Sequence, residues 1–290
     1  MTIPFQTLGL VLPPTQRDLP CDDGEPMETQ RHKAQMDLLI DAIEVWLKGR
    51  EDGYVGGNMF VYYSLAQVKN QDFKGPDVFV VLGVPKGERR SWVCWEEGKT
   101  PDVVIELLSE STAEFDKTTK KQLYQDRLHV PEYFWFDPFN PNDRAGFQLQ
   151  GGTYYPIEAG PNGELVSQVL NLALVLWTGT YKGIETTWLR WTDRDGFLLP
   201  TAQEDAYSQA VQAQQAAEQE RQRAEQAQRQ AEQERQRAEQ AQRQAEQERQ
   251  RAEQAQRQAE QERQRAEQER QRAERLAAQL RAMGIDPNTL

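Results

Sequence analysis

The last third of the chain is a sequence repeat, and it restricts the fold more than any other feature. From Ala217 the 14-residue unit AEQERQRAEQAQRQ occurs three times in succession, and its first half, AEQERQR, then occurs twice more. Alanine, glutamate, glutamine and arginine have high helix propensity, and Glu–Arg pairs three or four residues apart add support. We therefore predict one long α-helix, in which residues 217–283 would span about 100 Å.

Two forms of this helix remain open, a coiled coil and a solvated single helix. With Ala217 at position a of a heptad, position d alternates between glutamate and alanine, which bury little apolar surface. Larger apolar side chains continue the same register only near the end, at Leu276, Leu280 and Met283. The partner expected for a coiled coil is a second copy of the chain, in a homodimer or a higher oligomer.

The residues before the repeat have a different composition, rich in tryptophan, tyrosine, phenylalanine, valine and proline. That part is long enough to bury a sizeable core. The change in composition predicts an irregular N-terminal segment, a globular domain, a long helix and a short tail, with bounds at 1–27, 28–203, 204–283 and 284–290.

Composition also limits where the protein acts and what it binds. The sequence has no apolar run of about 18 residues and no signal-peptide pattern at its start, so we expect no membrane span. Two cysteines without metal-ligand spacing fit the reducing cytoplasm. Residues 204–290 hold 17 acidic and 15 basic side chains, which leaves 29 and 19 in residues 1–203. A domain that is this acidic is no general nucleic-acid binder, because phosphate groups require a basic surface.

The globular region mixes helix and strand patterns without a regular βαβ order. Apolar residues at helical spacing predict a helix over 29–49, and Ser111 with Glu114 predicts a capped helix that ends near Arg127. Hairpin strands are expected within 146–167. The other strand candidates are NMFVYYS, DVFVVLGV, SWVCWEE, DVVIELL and EYFWFDP. This order predicts an α/β fold with a mixed β-sheet flanked by helices.

Glu106 stands in the middle of the most apolar strand candidate, residues 103–108. Glutamate is almost never fully buried without a partner or a metal ion, so its presence there indicates a specific role. Asp102 shares the strand but lies about 13 Å along it, too far away to hold the same ion. Asp77 precedes a neighbouring strand and can lie beside Glu106, and this pair of carboxylates is suited to a hard cation such as Mg²⁺.

Three residues of the following helix, Asp116, Lys120 and Tyr124, recur every four positions and lie on roughly one face. A lysine beside two carboxylates and a metal ion can orient or deprotonate a water molecule or bind a phosphate group. The alternative is a surface ion pair between Asp116 and Lys120, with Tyr124 packed on the sheet. His32, at the start of the first helix, is a further candidate for lining a pocket, although a polar residue at a helix edge is the simpler interpretation.

Four motifs occur in this order along the globular region: GPDVFVVLGV, PDVVIELLSEST, DKTTKKQLY and VPEYFWFDP. Taken together, they resemble the Uma-two family of restriction endonucleases, which belongs to the PD-(D/E)xK nuclease superfamily. The resemblance covers about residues 28–200 in order. It implies a restriction-endonuclease-like core and a Mg²⁺-dependent (or Mn²⁺-dependent) phosphodiesterase site that acts on DNA, with RNA as the alternative substrate.

The resemblance also implies roles for individual residues. Asp77 corresponds to the aspartate of the PD element and Glu106 to the acidic residue of (D/E)xK, so both would be catalytic metal ligands. Lys120 corresponds to a helix lysine of the family and would orient the attacking water molecule or stabilise the developing negative charge. The supporting positions around it are Asp116 and Tyr124.

Three functions remain open at this point. The presence of Asp77, Glu106 and Lys120 favours a metal-dependent endonuclease. The acidic composition favours a nuclease fold that binds without cutting, and so does Leu108, which stands where the wider superfamily has its lysine. The long helix allows a third function, a coil-driven assembly protein with the globular domain as its head. The most informative observation is whether the three site residues converge in space.

Overall fold

The computed structural model describes residues 13–21, 29–64 and 73–284. The chain divides into two compact units, residues 1–210 and 211–290. Most of the predicted irregular segment 1–27 and of the predicted tail 284–290 lies outside the described residues.

The secondary structure of the described residues is mixed. The strands are β1 (Asp52–Gly56), β2 (Val61–Tyr62), β3 (Phe73–Lys74), β4 (Val78–Pro85), β5 (Trp92–Val93), β6 (Val103–Leu107), β7 (Glu132–Phe136), β8 (Arg144–Gln150), β9 (Thr153–Pro156), β10 (Leu165–Ser167), β11 (Leu172–Tyr181) and β12 (Ile184–Thr192). The α-helices are α1 (Gln30–Leu47), α2 (Cys94–Glu97), α3 (Ala113–Phe115), α4 (Lys121–Leu123) and α5 (Ala202–Ala282). The π-helical turn Asp116–Lys120 joins α3 to α4, and a second π-helical turn, Tyr124–Leu128, extends α4, so that residues 113–128 form a continuous helical segment.

A six-stranded mixed sheet with strand order β1-β4-β6-β7-β8-β9 forms the centre of the first unit. Within it β6 and β7 are parallel, and the other neighbouring strands are antiparallel. Two three-stranded sheets accompany it, with strand orders β3-β2-β5 and β10-β11-β12. The predicted α/β class, a mixed sheet flanked by helices and followed by a long helix, is therefore confirmed.

The main sheet is covered on both faces. On one face the apolar side of α1, with Leu39 and Ile43, packs together with strands β10–β12 against Ile105 and other residues of the sheet. On the other face Tyr124 of the helical segment joins Val104 in a second core. Because side chains alternate along a strand, Glu106 of β6 faces the same side as Val104, which is the side of the helical segment.

Two local details differ from the sequence prediction. The helical segment begins one residue after Thr112, which occupies the N-cap position predicted for Ser111. The hydroxyl group of Ser109, two residues beyond the end of β6, accepts a hydrogen bond from the N–H of Thr112. SWVCWEE forms a strand, β5, over only two residues and then continues as α2. The buried Trp92 of β5 donates its indole N–H to the carbonyl of Lys99.

The repeat forms one helix, α5, as predicted, and none of its side chains is buried. Its first turn carries a capping box, in which Thr201 N–H donates to Glu204 Oε2 over 2.8 Å and Glu204 N–H donates to Thr201 Oγ1 over 3.3 Å. Across the described ranges, no helix combines the length and the apolar character needed to cross a membrane. Pairing of α5 with a second helix remains a prediction.

Candidate active site

The strand register brings Asp77 and Glu106 together. Strands β4 and β6 are antiparallel, and Val78 of β4 pairs with Ile105 of β6. One further step in this register places Asp77 opposite Glu106, where directly opposed side chains have their Cβ atoms about 4.5–5.5 Å apart. Asp77 also accepts the N–H of Leu107 at Oδ2 over 2.6 Å, which fixes its carboxylate at the end of β6.

Glu106 is fully buried, and both of its oxygens have partners on the helical segment. Tyr124 donates its hydroxyl hydrogen to Oε1 over 2.9 Å, and Lys120 donates from Nζ to Oε2 over 3.1 Å. Glu106 is therefore bound by Lys120 and Tyr124, two of the three residues that the spacing placed on one face of the helix.

Asp116 completes the cluster from within a π-helical turn. Its side chain is buried, and Oδ1 lies 2.8 Å from Lys120 Nζ. Tyr133 of β7 donates its hydroxyl hydrogen to the backbone carbonyl of Asp116 over 2.8 Å and so ties this turn to the sheet. Irregular π turns of this kind occur frequently at functional sites.

Burial dominates the electrostatics of the two opposed carboxyl groups. It raises the pKa of Glu106, and the charge of Lys120 counteracts this only in part. Burial likewise raises the pKa of Asp77, against the charge of Lys120 and the hydrogen bond from Leu107 N–H. A divalent cation between the two carboxylates would relieve the cost of keeping both ionised.

Lys120 behaves in the opposite way. Burial lowers its pKa, but the negative charges of Glu106, Asp116 and Asp77 raise it by more, so the net shift is upward. The ammonium group therefore stays protonated, which suits it to stabilising negative charge rather than to removing a proton from water.

The strand register brings two carboxylates together that a metal ion could use, those of Asp77 and Glu106. Within residues 13–21, 29–64 and 73–284, no three His, Cys, Asp or Glu side chains form a group that could hold a metal ion. Asp77 and Glu106 would thus be two protein ligands. Mg²⁺ commonly binds through one or two carboxylates and takes its remaining ligands from water and substrate phosphates.

The structure separates the other sequence candidates from this cluster. His32 is buried, and its Nε2 lies 2.8 Å from the carbonyl oxygen of Leu108. Because that oxygen can only accept, Nε2 carries the hydrogen, and His32 supports the chain just beyond the end of β6. Asp102 is a strand-entry residue that accepts Leu82 N–H over 2.7 Å and pairs with Lys99.

Sequence reasoning did not single out Lys74 or Tyr133. Tyr133 could have been found from strand alternation, because it pairs with Val104 and faces the same side as Glu106. Lys74 lies in the two-residue strand β3, which is too short to show any alternation. Burial and the charge of Lys120 lower the pKa of Lys74, and the charge of Glu106 raises it, so Lys74 belongs to the same group of charges.

The comparisons with known proteins agree with the motifs. The sequence profile of the Uma2 family, described as "Putative restriction endonuclease", matches residues 11–178. Since this range is more than half of the chain, the protein belongs to the Uma2 family. No curated protein matches the chain.

The solved structures that are similar to this chain include the crystal structure of a nuclease. It is titled "Crystal structure of a putative nuclease belonging to DUF820 from Anabaena variabilis ATCC 29413 at 1.96 A resolution". The two sequences are 18% identical, and the alignment covers 53% of this chain and 89% of that chain with a TM-score of 0.37. At this TM-score the likeness adds nothing to the account of the fold given above.

Proposed function

We propose that this protein is a Mg²⁺-dependent endonuclease that hydrolyses phosphodiester bonds in DNA, and that Mn²⁺ can replace Mg²⁺. The observation that carries the proposal is the convergence of Asp77, Glu106 and Lys120, in which a fully buried glutamate is contacted by a lysine at 3.1 Å. Membership of the Uma2 family supports the same class of reaction.

Each residue has a separate task in this proposal. Asp77 and Glu106 hold the metal ion, with Asp77 fixed by the N–H of Leu107. Lys120 keeps its positive charge and stabilises the negative charge that develops on the phosphate group. When bound, Mg²⁺ supplies polarisation of the phosphate group and a lowered pKa for the attacking water.

The remaining side chains set the geometry of these groups. Tyr124 donates to Oε1 of Glu106 and so fixes the rotamer of the carboxylate. Asp116 also pairs with Lys120, and Tyr133 holds the π turn that carries Asp116. Such supporting contacts keep a site within the narrow geometry that catalysis requires.

The alternative is a fold that binds nucleic acid without cutting it, and the geometry favours it less. Leu108 stands where the wider superfamily has a lysine, but Lys120 of the helical segment lies 3.1 Å from Glu106 and would take the role of that lysine. A binding module also has no need for a fully buried glutamate, whose ionised form is costly, directly beside a second carboxylate.

The test is DNA cleavage with Mg²⁺ or Mn²⁺ and its loss in EDTA. Glu106→Gln should lower the rate at least about 100-fold, because it keeps the shape of the side chain and removes a metal ligand. Calorimetry should show Mg²⁺ binding to the parent and none to the variant, which reads out the site independently of turnover.

Glu132→Gln is the matched control. Glu132 is a second buried glutamate on the adjacent strand β7, and its carboxylate binds the backbone N–H groups of Gln168 and Val169, outside the site. Folded Glu132→Gln protein should cut at the parental rate. Parental cutting by Glu106→Gln, or a parent that cuts nothing with any metal, would exclude the proposed function.

A further inference from the structure

A second lysine lies beside the site. Lys74 is held by the pairing of β3 with β2, and the adjacent Phe73 packs against Phe60 with ring centroids 4.3 Å apart. Only Gly75 and Pro76 separate it from Asp77. The backbone that positions Lys74 is thus continuous with the backbone that positions a proposed metal ligand.

The side chain of Lys74 extends toward the start of the helical segment. Its Nζ lies 5.7 Å from the ring centroid of Phe115, the residue directly before Asp116. Lys74 is half-buried and Phe115 is 43% exposed, so this contact lies at the surface beside the carboxylate cluster.

Lys74 lacks the carboxylate partner that most charged groups near this site have. Lys120 is shared between Glu106 and Asp116, and Lys117 pairs with Asp143 at 2.6 Å. Among the described residues no carboxylate lies within ion-pair distance of Lys74. A half-buried cation without an ionic partner is a suitable contact for an anion supplied from outside.

The balance of charge indicates which anion. Asp77, Glu106 and Asp116 carry three negative charges when ionised, and Lys120 with a divalent cation would carry three positive charges. A phosphodiester adds one negative charge for each nucleotide, to a domain that is acidic overall. The charge of Lys74 would compensate that phosphate charge locally.

We propose that Lys74 binds a backbone phosphate of the nucleic-acid substrate next to the metal-binding carboxylates. This inference rests on the proposed function, because it names a substrate contact of the same site. The contact is to the backbone, so it contributes to affinity and register but not to the choice of sequence.

The test is binding of a fluorescein-labelled DNA duplex, measured by fluorescence anisotropy in EDTA at several NaCl concentrations. Lys74→Met keeps the length of the side chain and its packing on Phe115. It should weaken binding equally for duplexes of different sequence and reduce the slope of log K against log salt by about 1. Lys74→Arg should keep the parental slope. In Mg²⁺, Lys74→Met should raise KM for cleavage more than it lowers kcat.

Lys182→Met is the matched control for net charge and for loss of a lysine over an aromatic ring. Lys182 Nζ lies 5.4 Å from the ring of Tyr181 in the sheet formed by β10–β12. This variant should bind DNA with the parental affinity and slope. Equal thermal midpoints of all variants would show that folding is not the cause of any difference.

The outcomes separate this inference from the proposed function. A reduced slope in Lys74→Met supports the contact even if the parent fails to cut DNA in Mg²⁺, which would overturn only the proposed function. A parental slope in Lys74→Met overturns the contact even if the parent cuts. An equal loss in Lys182→Met also overturns it, because general charge would then explain the effect.

Discussion

Two ion pairs with the same four-residue spacing occupy opposite environments in this protein. Asp116 and Lys120 have side chains that are 2% and 16% exposed, and they lie 2.8 Å apart. Arg235 and Glu239 of α5 are 81% and 52% exposed and lie 3.1 Å apart. The spacing predicts contact in both cases, but only the surroundings decide what the contact does.

The energetic consequences differ by about an order of magnitude. An exposed helix pair contributes about 0.3–0.5 kcal/mol, while removing one partner of a buried pair costs about 3–5 kcal/mol. In α5 the ion pairs with four-residue spacing place arginine before glutamate, which is the weaker order along a helix. The repeat therefore uses many weak pairs, and the site uses a few costly ones.

The largest effect should come from Lys120→Met, which leaves Glu106 and Asp116 buried without their cation. We expect the free energy of unfolding to fall by about 3–5 kcal/mol at pH 8. The loss should be smaller at pH 5, because Glu106 has a raised pKa and can take up a proton there. All seven tryptophans lie before residue 192, so tryptophan fluorescence in urea reports this unit alone.

Arg235→Met is the exposed counterpart and should change stability by no more than about 0.5 kcal/mol. If Lys120→Met were as mild as Arg235→Met at pH 8, the contrast between buried and exposed pairs would be lost.

The second prediction concerns pH and the sign of its effect. The folded-state pKa of Glu106 is raised by burial above its value in the unfolded chain. Between these two pKa values the folded protein binds more protons than the unfolded chain, so the free energy of unfolding falls as the pH rises. We expect a decline from pH 5 to pH 8 in metal-free parent protein, a smaller decline in Glu106→Gln, and partial recovery of the parent on adding Mg²⁺.

Urea unfolding at pH 5, 6.5 and 8 measures this directly. Equal pH slopes for the parent and Glu106→Gln would mean that the carboxyl group titrates normally in the folded protein. Recovery with Mg²⁺ in Glu106→Gln would place the metal ion elsewhere.

Much of this contrast was accessible from the sequence. An acidic residue within an apolar strand identified Glu106, and periods of four and fourteen identified the helix face and the repeat. The π turns, the shift of the cap to Thr112 and the contact of His32 with Leu108 were not predictable. They depend on where β6 ends against the helical segment, and tertiary packing determines this end.

Lys74 likewise could not be identified as a candidate site residue from the sequence. Its strand has two residues, and strand periodicity needs at least four to be recognised. Its relation to Phe115 joins positions that are far apart in the chain, and no local pattern encodes such a contact.

The third prediction tests a pair of intermediate burial. Arg190 is buried and Glu204 is half-exposed, and they lie 2.7 Å apart where α5 begins. Glu204 also completes the capping box with Thr201, so Glu204→Ala should lower the free energy of unfolding by about 1–2 kcal/mol. Glu204→Gln retains the capping hydrogen bond and loses the charge, so it should show a smaller loss. Identical losses in the two variants would assign the whole effect to the ion pair.

The fourth prediction asks whether α5 associates with a second copy. The repeat offers alanine and glutamate at its seam, so any association should depend on the larger side chains at its end, where Leu276 is 51% and Met283 is 68% exposed. Sedimentation of the parent at tens of micromolar should show self-association, and the double variant Leu276→Gln, Leu280→Gln should lose it. A monomeric parent would remove the assembly role, and a fully associated variant would move the interface elsewhere.

The smallest effect should be that of salt on the exposed pairs. At 1 M salt the screening length falls to about 3 Å, so pairs such as Arg249–Glu253, at 3.1 Å and with both side chains exposed, lose most of their attraction. Since intrinsic helix propensity sustains the repeat, the ellipticity at 222 nm should fall by only a small fraction between 0.05 and about 1 M NaCl. The pair of Lys120 and Glu106 is buried and should not be screened, so tryptophan fluorescence should stay constant over the same range. A large loss of ellipticity would show that ion pairs, and not propensity, hold the repeat helical, and the two kinds of pair would then be closer in energy than their burial indicates.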